Sequence, residues 1–286
     1  MTKEKTVQAG DKSVPEANKK TALENNGNNS SSGSMDVLFY VGCTASFDIN
    51  VKEVGINTIN ILNAIGVKFG MLGKEEKCCG SVLLRIGDHD EFERLARDNI
   101  HVFNSLGVKT LITSCAGCFR TIKMDYRKVG KLNMPVMHTA EYMAKLIREN
   151  KIKLKHKVPL KVTYHDPCHM GRHSNVYDTP REVLNAIPGL EFVEMDRIRE
   201  FSRCCGAGGG LKAGFGDIQN LMAQERVKDA EKTGAERIVS TCPFCYQGIQ
   251  IGINALGSKL IMTDITELIA MSMGIEAISE VVSQGG

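Results

Sequence analysis

From residue 35 onward, short apolar runs alternate with amphipathic stretches. Residues 37–41 predict a buried strand that ends at Gly42-Cys43, and a helix is expected over about 51–65. Residues 67–72 predict a second strand that delivers Cys78-Cys79-Gly80, followed by an amphipathic helix over 90–106. A third strand over 110–113 ends at Cys115, with a helix after Cys118, a short strand at 135–138 and a helix over 140–148. After a lysine-rich link at 151–157 the order repeats: a strand over 160–164 leads to Cys168, 190–195 toward Cys204 and 237–240 to Cys242. A strand at 260–264 and a helix at 265–273 answer the pair at 135–148. This alternation predicts an α/β protein with parallel sheets covered by helices on both faces. It divides into two pseudo-symmetric Rossmann-like lobes made by internal duplication, over 35–150 and 158–286. Residues 1–34 are polar and lack aromatics, a composition that cannot offset the entropy of ordering, so a disordered N-terminal tail is expected.

The cysteines repeat with the strands. A lone cysteine (Cys43, Cys168), a CCG triplet (Cys78-Cys79-Gly80, Cys204-Cys205-Gly206) and a Cys-x-x-Cys pair (Cys115 and Cys118, Cys242 and Cys245) use all 10 cysteines of the chain. Cys43 to Cys168 is 125 positions, Cys79 to Cys205 is 126, and Cys118 to Cys245 is 127. Such constancy is the mark of a duplicated unit.

Composition narrows the chemistry. The chain has 286 residues, 42% hydrophobic and 24% charged, with a net charge of +3, as in ordinary soluble proteins and without the concentrated basic stripe of a nucleic-acid binder. No apolar run reaches the roughly 18 residues that span a bilayer, and the first residues lack a signal-peptide core, so the expected location is cytoplasmic, with any membrane association through partners. A reducing compartment disfavours structural disulfides and makes a dense cysteine pattern a metal or redox site. Five thiols per half also leave one over after pairing, and adjacent cysteines fit disulfide geometry poorly.

Every cysteine follows the C-terminal end of a predicted strand, the edge at which open α/β sheets bind ligands. Five thiols from three strand ends can therefore converge in each half, with the N-termini of the following helices adding N–H donors for a negatively charged cluster. Zinc would use four thiolates, commonly as two Cys-x-x-Cys pairs, and a cubane iron–sulfur cluster also takes four in compact spacing. A centre needing five soft ligands fits better, with zinc or a thiol–disulfide relay as the other readings.

Gly42-Cys43, Cys78-Cys79-Gly80 and Cys115-Ala116-Gly117-Cys118, repeated as Pro167-Cys168, Cys204-Cys205-Gly206 and Cys242-Pro243-Phe244-Cys245, resemble the CCG cysteine-rich domain family over residues 35 to about 275. Within it the pattern is similar to heterodisulfide reductase, in its B-type subunits and in the catalytic part of its D-type subunits. The resemblance implies two noncubane 4Fe-4S clusters, one held by each set of five cysteines, facing one another. It implies reduction of a small-molecule disulfide of the coenzyme M–coenzyme B type between them, two intact sets favouring catalysis. The alternative within the family is an electron-transfer subunit of a hydroxy-acid, glycerol-3-phosphate or succinate dehydrogenase complex; outside it, a zinc-stabilised interaction protein. The D-type subunits carry a ferredoxin-like region with compact cysteine repeats, which the residues before Cys43 lack. The expected electron source is therefore a partner, either a ferredoxin-like iron–sulfur subunit of the C type or a flavin- or haem-containing protein.

Gly80, Gly206 and Gly208 are expected to let backbone approach the clusters; the glycine run at 206–210 does not meet the dinucleotide-loop register. His169 and His173, with His165, bracket Cys168 and are candidates for supplying protons near neutral pH, while Asp166-Pro167 reads as a turn. Arg172, with Arg203, Lys212, Arg120 and Lys123, could meet an anionic substrate. The alternating charges from Gln224 to Lys232 read as a solvated helix face.

Overall fold

The computed structural model describes residues 35–275. The expected N-terminal tail, and residues 276–286 of the second lobe's span, lie outside the described residues. In the first lobe, strands β1 (Val37–Tyr40), β2 (Phe69–Gly70), β3 (Thr110–Thr113) and β4 (Val136–His138) form one parallel sheet in the order β2-β1-β3-β4. In the second, β5 (Lys161–Tyr164), β6 (Glu191–Val193), β7 (Arg237–Ser240) and β8 (Ile261–Asp264) repeat it as β6-β5-β7-β8. The two-lobed parallel α/β architecture is the one the hydrophobic pattern predicts.

The central strands read clearly because they are buried on both faces. All four residues of β1 are inaccessible or nearly so, and Leu111 and Ile112 of β3 have no exposure. Burying each such side chain contributes roughly 1.5–3 kcal/mol, so these runs cannot sit anywhere but mid-sheet. The edge strands are shorter than expected. The run at 67–72 contracts to Phe69–Gly70 and that at 190–195 to Glu191–Val193, because each pairs with a single neighbour and must then leave the ladder to carry its CCG triplet across the sheet end.

The helices are α1 (Cys43–Phe47), α2 (Lys52–Ala64), α3 (Ser81–Ile86), α4 (His89–Ser105), α5 (Ala116–Arg120), α6 (Thr139–Arg148), α7 (Asp178–Ala186), α8 (Leu211–Gly214), α9 (Gly216–Glu231), α10 (Pro243–Leu256) and α11 (Ile265–Met273). The helix expected after Cys118 begins before it: Cys115 caps α5 and Cys118 lies within its first turns. A three-residue separation is close to one helical turn, so both sulfurs of Cys-x-x-Cys face the same side. Cys242 caps α10 in the same way, with Pro243 at the first helical position. The lobes differ downstream, where α5 continues into a π-helical turn over Thr121–Asp125 while α10 runs on regularly.

The described residues form one compact unit. Helix α2 of the first lobe packs on α11 of the second, and α6 packs on α7. Arg148 donates to both carboxylate oxygens of Glu182 across the α6–α7 contact, at 2.7 and 2.6 Å. Among the described residues no helix is long and apolar enough to cross a membrane.

Candidate metal centre

In a sheet ordered β2-β1-β3-β4, the connection leaving β1 goes to one side and that leaving β3 to the other, and the crevice between the ends of β1 and β3 is the ligand position of such folds. The loop after β1 presents Cys43 there, the end of β3 presents Cys115 and Cys118, and the long connection from edge strand β2 brings Cys78 and Cys79. The second lobe repeats this with Cys168, Cys242, Cys245, Cys204 and Cys205. All ten thiols are free. Cys43, Cys78, Cys79, Cys115 and Cys118 line the same cleft as Cys168, Cys205, Cys242 and Cys245, about 590 Å³ of atom-free space counting its open mouth.

Within each lobe the sulfurs are in contact. Cys79 Sγ lies 3.3 Å from Cys118 Sγ, and Cys205 Sγ lies 3.4 Å from Cys245 Sγ. Both are far beyond a disulfide bond of about 2.05 Å and close to the roughly 3.7 Å edge of a thiolate tetrahedron drawn with metal–sulfur bonds of about 2.3 Å. The neighbouring Cys43 and Cys79 thiols hold Cys78, and Cys168 and Cys205 hold Cys204, far below the usual thiol range. The triplet glycines add backbone donors: Gly80 N–H lies 3.4 Å from Cys78 Sγ and Gly206 N–H 3.3 Å from Cys204 Sγ. Gly80 and Gly206 have φ of 75° and 74°, and a Cβ would stand 2.9 Å from the Phe92 ring and 3.1 Å from the Gln219 backbone. The two sets also meet. Cys115 and Cys242, one from each lobe, line the same cleft, and Cys115, Cys245 and the Ala116 N–H hold Cys242 well below its ordinary value.

The loops are pinned from outside. Glu76 accepts from Val41 N–H at 2.9 Å and Gly42 N–H at 2.7 Å, fixing the approach to Cys43. In the second lobe Asp166 does this work: it takes two bonds from Arg181, at 2.7 and 3.0 Å, and one from Arg199 N–H at 2.9 Å. Asp166 is thus more than a turn residue. Neither group stands out in the sequence, since Glu76 lies in a charged Lys-Glu-Glu-Lys run. The stretch from Gln224 to Lys232 also departs from its expected role: Arg226 has no exposure and Asp229 7%, so the alternating charges include an arginine in the core.

His169 lines the cleft beside Gly208, its Nδ1 3.5 Å from Cys168 Sγ. Burial and the neighbouring Arg85 push it down to about 4. His173 stands with its ring 5.2 Å from that of His169 but is exposed outside the lining. Arg172 turns away to donate to the Ser202 carbonyl at 2.6 Å, bracing the second triplet. The other cations are engaged off the cleft: Arg120 with Asp125 at 2.8 Å, Arg203 with Asp229 at 3.0 Å, Lys123 over the Phe119 ring and Lys212 with Gln247 at 3.1 Å. Among the described residues, no arginine or lysine lines the cleft. Besides His169 and Ser81, its walls are cysteine, glycine and apolar side chains such as Val82 and Phe244.

Five soft donors per lobe, preset N–H groups and glycine clearance fit iron–sulfur clusters and exceed what one tetrahedral zinc ion would use. The comparisons with known proteins agree with this donor set. The cysteine-rich domain, CCG, matches residues 37–123 and again 162–250. The D-type subunit of dihydromethanophenazine:CoB--CoM heterodisulfide reductase from Methanosarcina mazei is 46% identical over 246 residues, 84% of this chain and 60% of that protein. EtfAB:quinone oxidoreductase of Syntrophomonas wolfei is 38% identical over 227 residues, 77% of this chain and 32% of that one. The chain therefore spans about 60% of the length of the heterodisulfide reductase subunits it matches. Among solved structures, a hypothetical protein from Helicobacter pylori shares the fold with a TM-score of 0.60 at 10% identity, covering 88% of this chain and 52% of that one. With two matched copies, each framing one complete set of five cysteines, the chain belongs to the CCG cysteine-rich domain family.

Proposed function

We propose that this chain is the catalytic iron–sulfur part of a heterodisulfide reductase-like complex. In this reading Cys43, Cys78, Cys79, Cys115 and Cys118 hold one noncubane 4Fe-4S cluster, and Cys168, Cys204, Cys205, Cys242 and Cys245 hold another. The observation that carries it is the meeting of cysteines from both sets, Cys115 and Cys242 among them, in the lining of one cleft. The likeness to the D-type heterodisulfide reductase polypeptide supports it. When bound, the clusters would supply the two electrons that cleavage of a disulfide consumes.

The protein's own residues shape the rest. Val82, Phe244 and the glycines Gly117, Gly208 and Gly209 give the cleft a largely apolar lining beside the cysteines. His169 lines the cleft with its Nδ1 3.5 Å from Cys168 Sγ and is the candidate for handing a proton to a departing thiolate. Electrons come from a partner, either a ferredoxin-like subunit or a flavin- or haem-containing protein. The test is oxidation of reduced viologen by anaerobically reconstituted protein with the coenzyme M–coenzyme B heterodisulfide as acceptor. Turnover is expected; cluster-replete protein that leaves the viologen reduced would refute the assignment.

The likeness to a quinone-linked oxidoreductase favours one second reading, an electron-transfer subunit without disulfide chemistry. It predicts rapid cluster reduction by a partner and no heterodisulfide turnover. Colourless protein holding zinc and no iron would exclude both.

A further inference from the structure

The lobes part company three positions before the lone cysteine, where the first has Tyr40 and the second His165, both fully buried. Tyr40 stands beside Cys79 and Cys118, yet its phenol is directed elsewhere, donating to the Lys77 carbonyl at 2.7 Å. His165 stands among the matching sulfurs: a ring nitrogen and the Cys205 and Cys245 Sγ atoms all lie within 4.8 Å of one another. Its Nδ1 accepts from Arg226 Nε at 3.1 Å. A guanidinium N–H only donates, so Nδ1 carries no proton and the ring must carry it on Nε2. Nε2 is buried and has no protein partner.

Arg226 is itself locked, donating to the Arg197 carbonyl at 2.8 Å and the Tyr164 carbonyl at 3.4 Å, with Asp229 3.6 Å away. The first lobe has no such device. Phe92 and Gln219 pack on the two triplet glycines from equivalent places in α4 and α9, which aligns Asn99 with Arg226. Asn99 is occupied by the Cys78 carbonyl at 3.0 Å and the Tyr126 hydroxyl at 2.9 Å.

We propose that His165, held in one tautomer by Arg226, donates its Nε2–H to a sulfur of the second lobe's cluster and makes that cluster the more easily reduced of the two. This rests on the two-cluster reading above. Adding an electron puts negative charge on the sulfurs, and a fixed donor stabilises the reduced form more than the oxidised one. His165 is a tuning residue rather than a ligand, because binding iron through Nε2 would require removing the proton that Arg226 keeps there.

The test is a potentiometric titration of the iron-loaded full chain followed by electron paramagnetic resonance, with the two signals assigned by Cys43→Ser and Cys168→Ser. His165→Phe should lower the equilibrium constant for reduction of the second-lobe cluster at least tenfold, about 59 mV for one electron, and leave the first in place. His165→Gln, which keeps an N–H donor, should recover most of the loss, and Tyr40→Phe should move neither signal. Electron–nuclear double resonance should find an exchangeable proton on the second-lobe signal of the unaltered protein. An unmoved second potential, equal movement of both, or the strong nitrogen coupling of a directly bound imidazole would overturn the proposal. If His165→Phe fails to assemble its cluster, the His165→Gln potential and the exchangeable proton decide. Iron sufficient for only one cluster would instead overturn the two-cluster reading itself.

Discussion

Arg181 of α7 joins three segments around the second cysteine set. Its guanidinium gives two hydrogen bonds to Asp166, two to Glu194 at 2.6 and 3.1 Å, and one to the Tyr177 carbonyl at 2.8 Å. Its side chain is 8% exposed and that of Asp166 3%. Arg181→Met keeps the length and apolar stem but leaves the Asp166 carboxylate in the interior with the Arg199 N–H still donating to it. Removing one partner of a buried ion pair costs roughly 3–5 kcal/mol, a large part of the roughly 5–15 kcal/mol that separates folded from unfolded chains. Urea denaturation under anaerobic conditions should show a loss of about that size. Because Asp166 lies two residues before Cys168, the second-lobe iron signal should weaken while the first persists. The double variant Asp166→Asn/Arg181→Met leaves unpaired only the part-exposed Glu194 carboxylate and should recover part of the loss, the coupling being read from a double-mutant cycle. Arg94→Ala, which removes the exposed pairs to Glu91 and Asp98, should change nothing measurable. A loss below about 1 kcal/mol for Arg181→Met, or a double variant no more stable than the single, would refute the account.

Serine at Cys43 should alter only the first-lobe iron signal and serine at Cys168 only the second; simultaneous loss of both, measured by iron per chain and paramagnetic resonance, would contradict separate sites. Gly252→Ala in α10 places a Cβ 2.7 Å from the Ala223 carbonyl carbon and 2.9 Å from its Cβ. Overpacking should outweigh the roughly 1 kcal/mol gain in helix propensity and leave a net loss of about 1–2 kcal/mol; a raised Tm would be the contrary result. Burial pushes the Asp264 carboxyl up to about 7, against the Thr266 donors that hold it at the start of α11. Its folded value thus lies above the unfolded one near 3.9, so its contribution is complete below about pH 4 and is lost as pH rises through about 7, with an upper bound of roughly 4 kcal/mol. Asp264→Asn keeps the oxygen facing Thr266 and should flatten stability over that window; an unchanged pH slope would show that another group titrates.

The sequence and the structure agree most closely where burial leaves a chain no choice. The runs at β1 and β3 are apolar because both faces are covered, and the cysteines are legible because they recur at nearly fixed offsets from the strand ends that carry them. The edge strands read too long, since an apolar run such as 67–72 marks only that its side chains are covered, while ladder length depends on the neighbour. What stays hidden is the support of the loops. Glu76 and Asp166 perform the same task in the two lobes with different donors, and nothing in a run of charged residues tells which carboxylate turns inward. Arg226 is the sharpest case: alternating charge from Gln224 to Lys232 is the pattern of a solvated face, yet its guanidinium is fully buried because backbone carbonyls and His165 receive its protons.

Duplication therefore has two different outcomes in one molecule. The cysteine positions coincide, down to the sulfur contacts of 3.3 and 3.4 Å and the N–H bonds to the first cysteine of each triplet. Around them the lobes diverge: Tyr40 against His165, Asn99 against Arg226, and a π-helical turn after Cys118 against a regular helix after Cys245. Identical cages in identical surroundings would give two centres with one reduction potential and no preferred order for two electrons arriving singly. In the two-cluster reading proposed above, keeping the cages and changing what touches them would set an order without disturbing the geometry that both lobes present to the shared cleft.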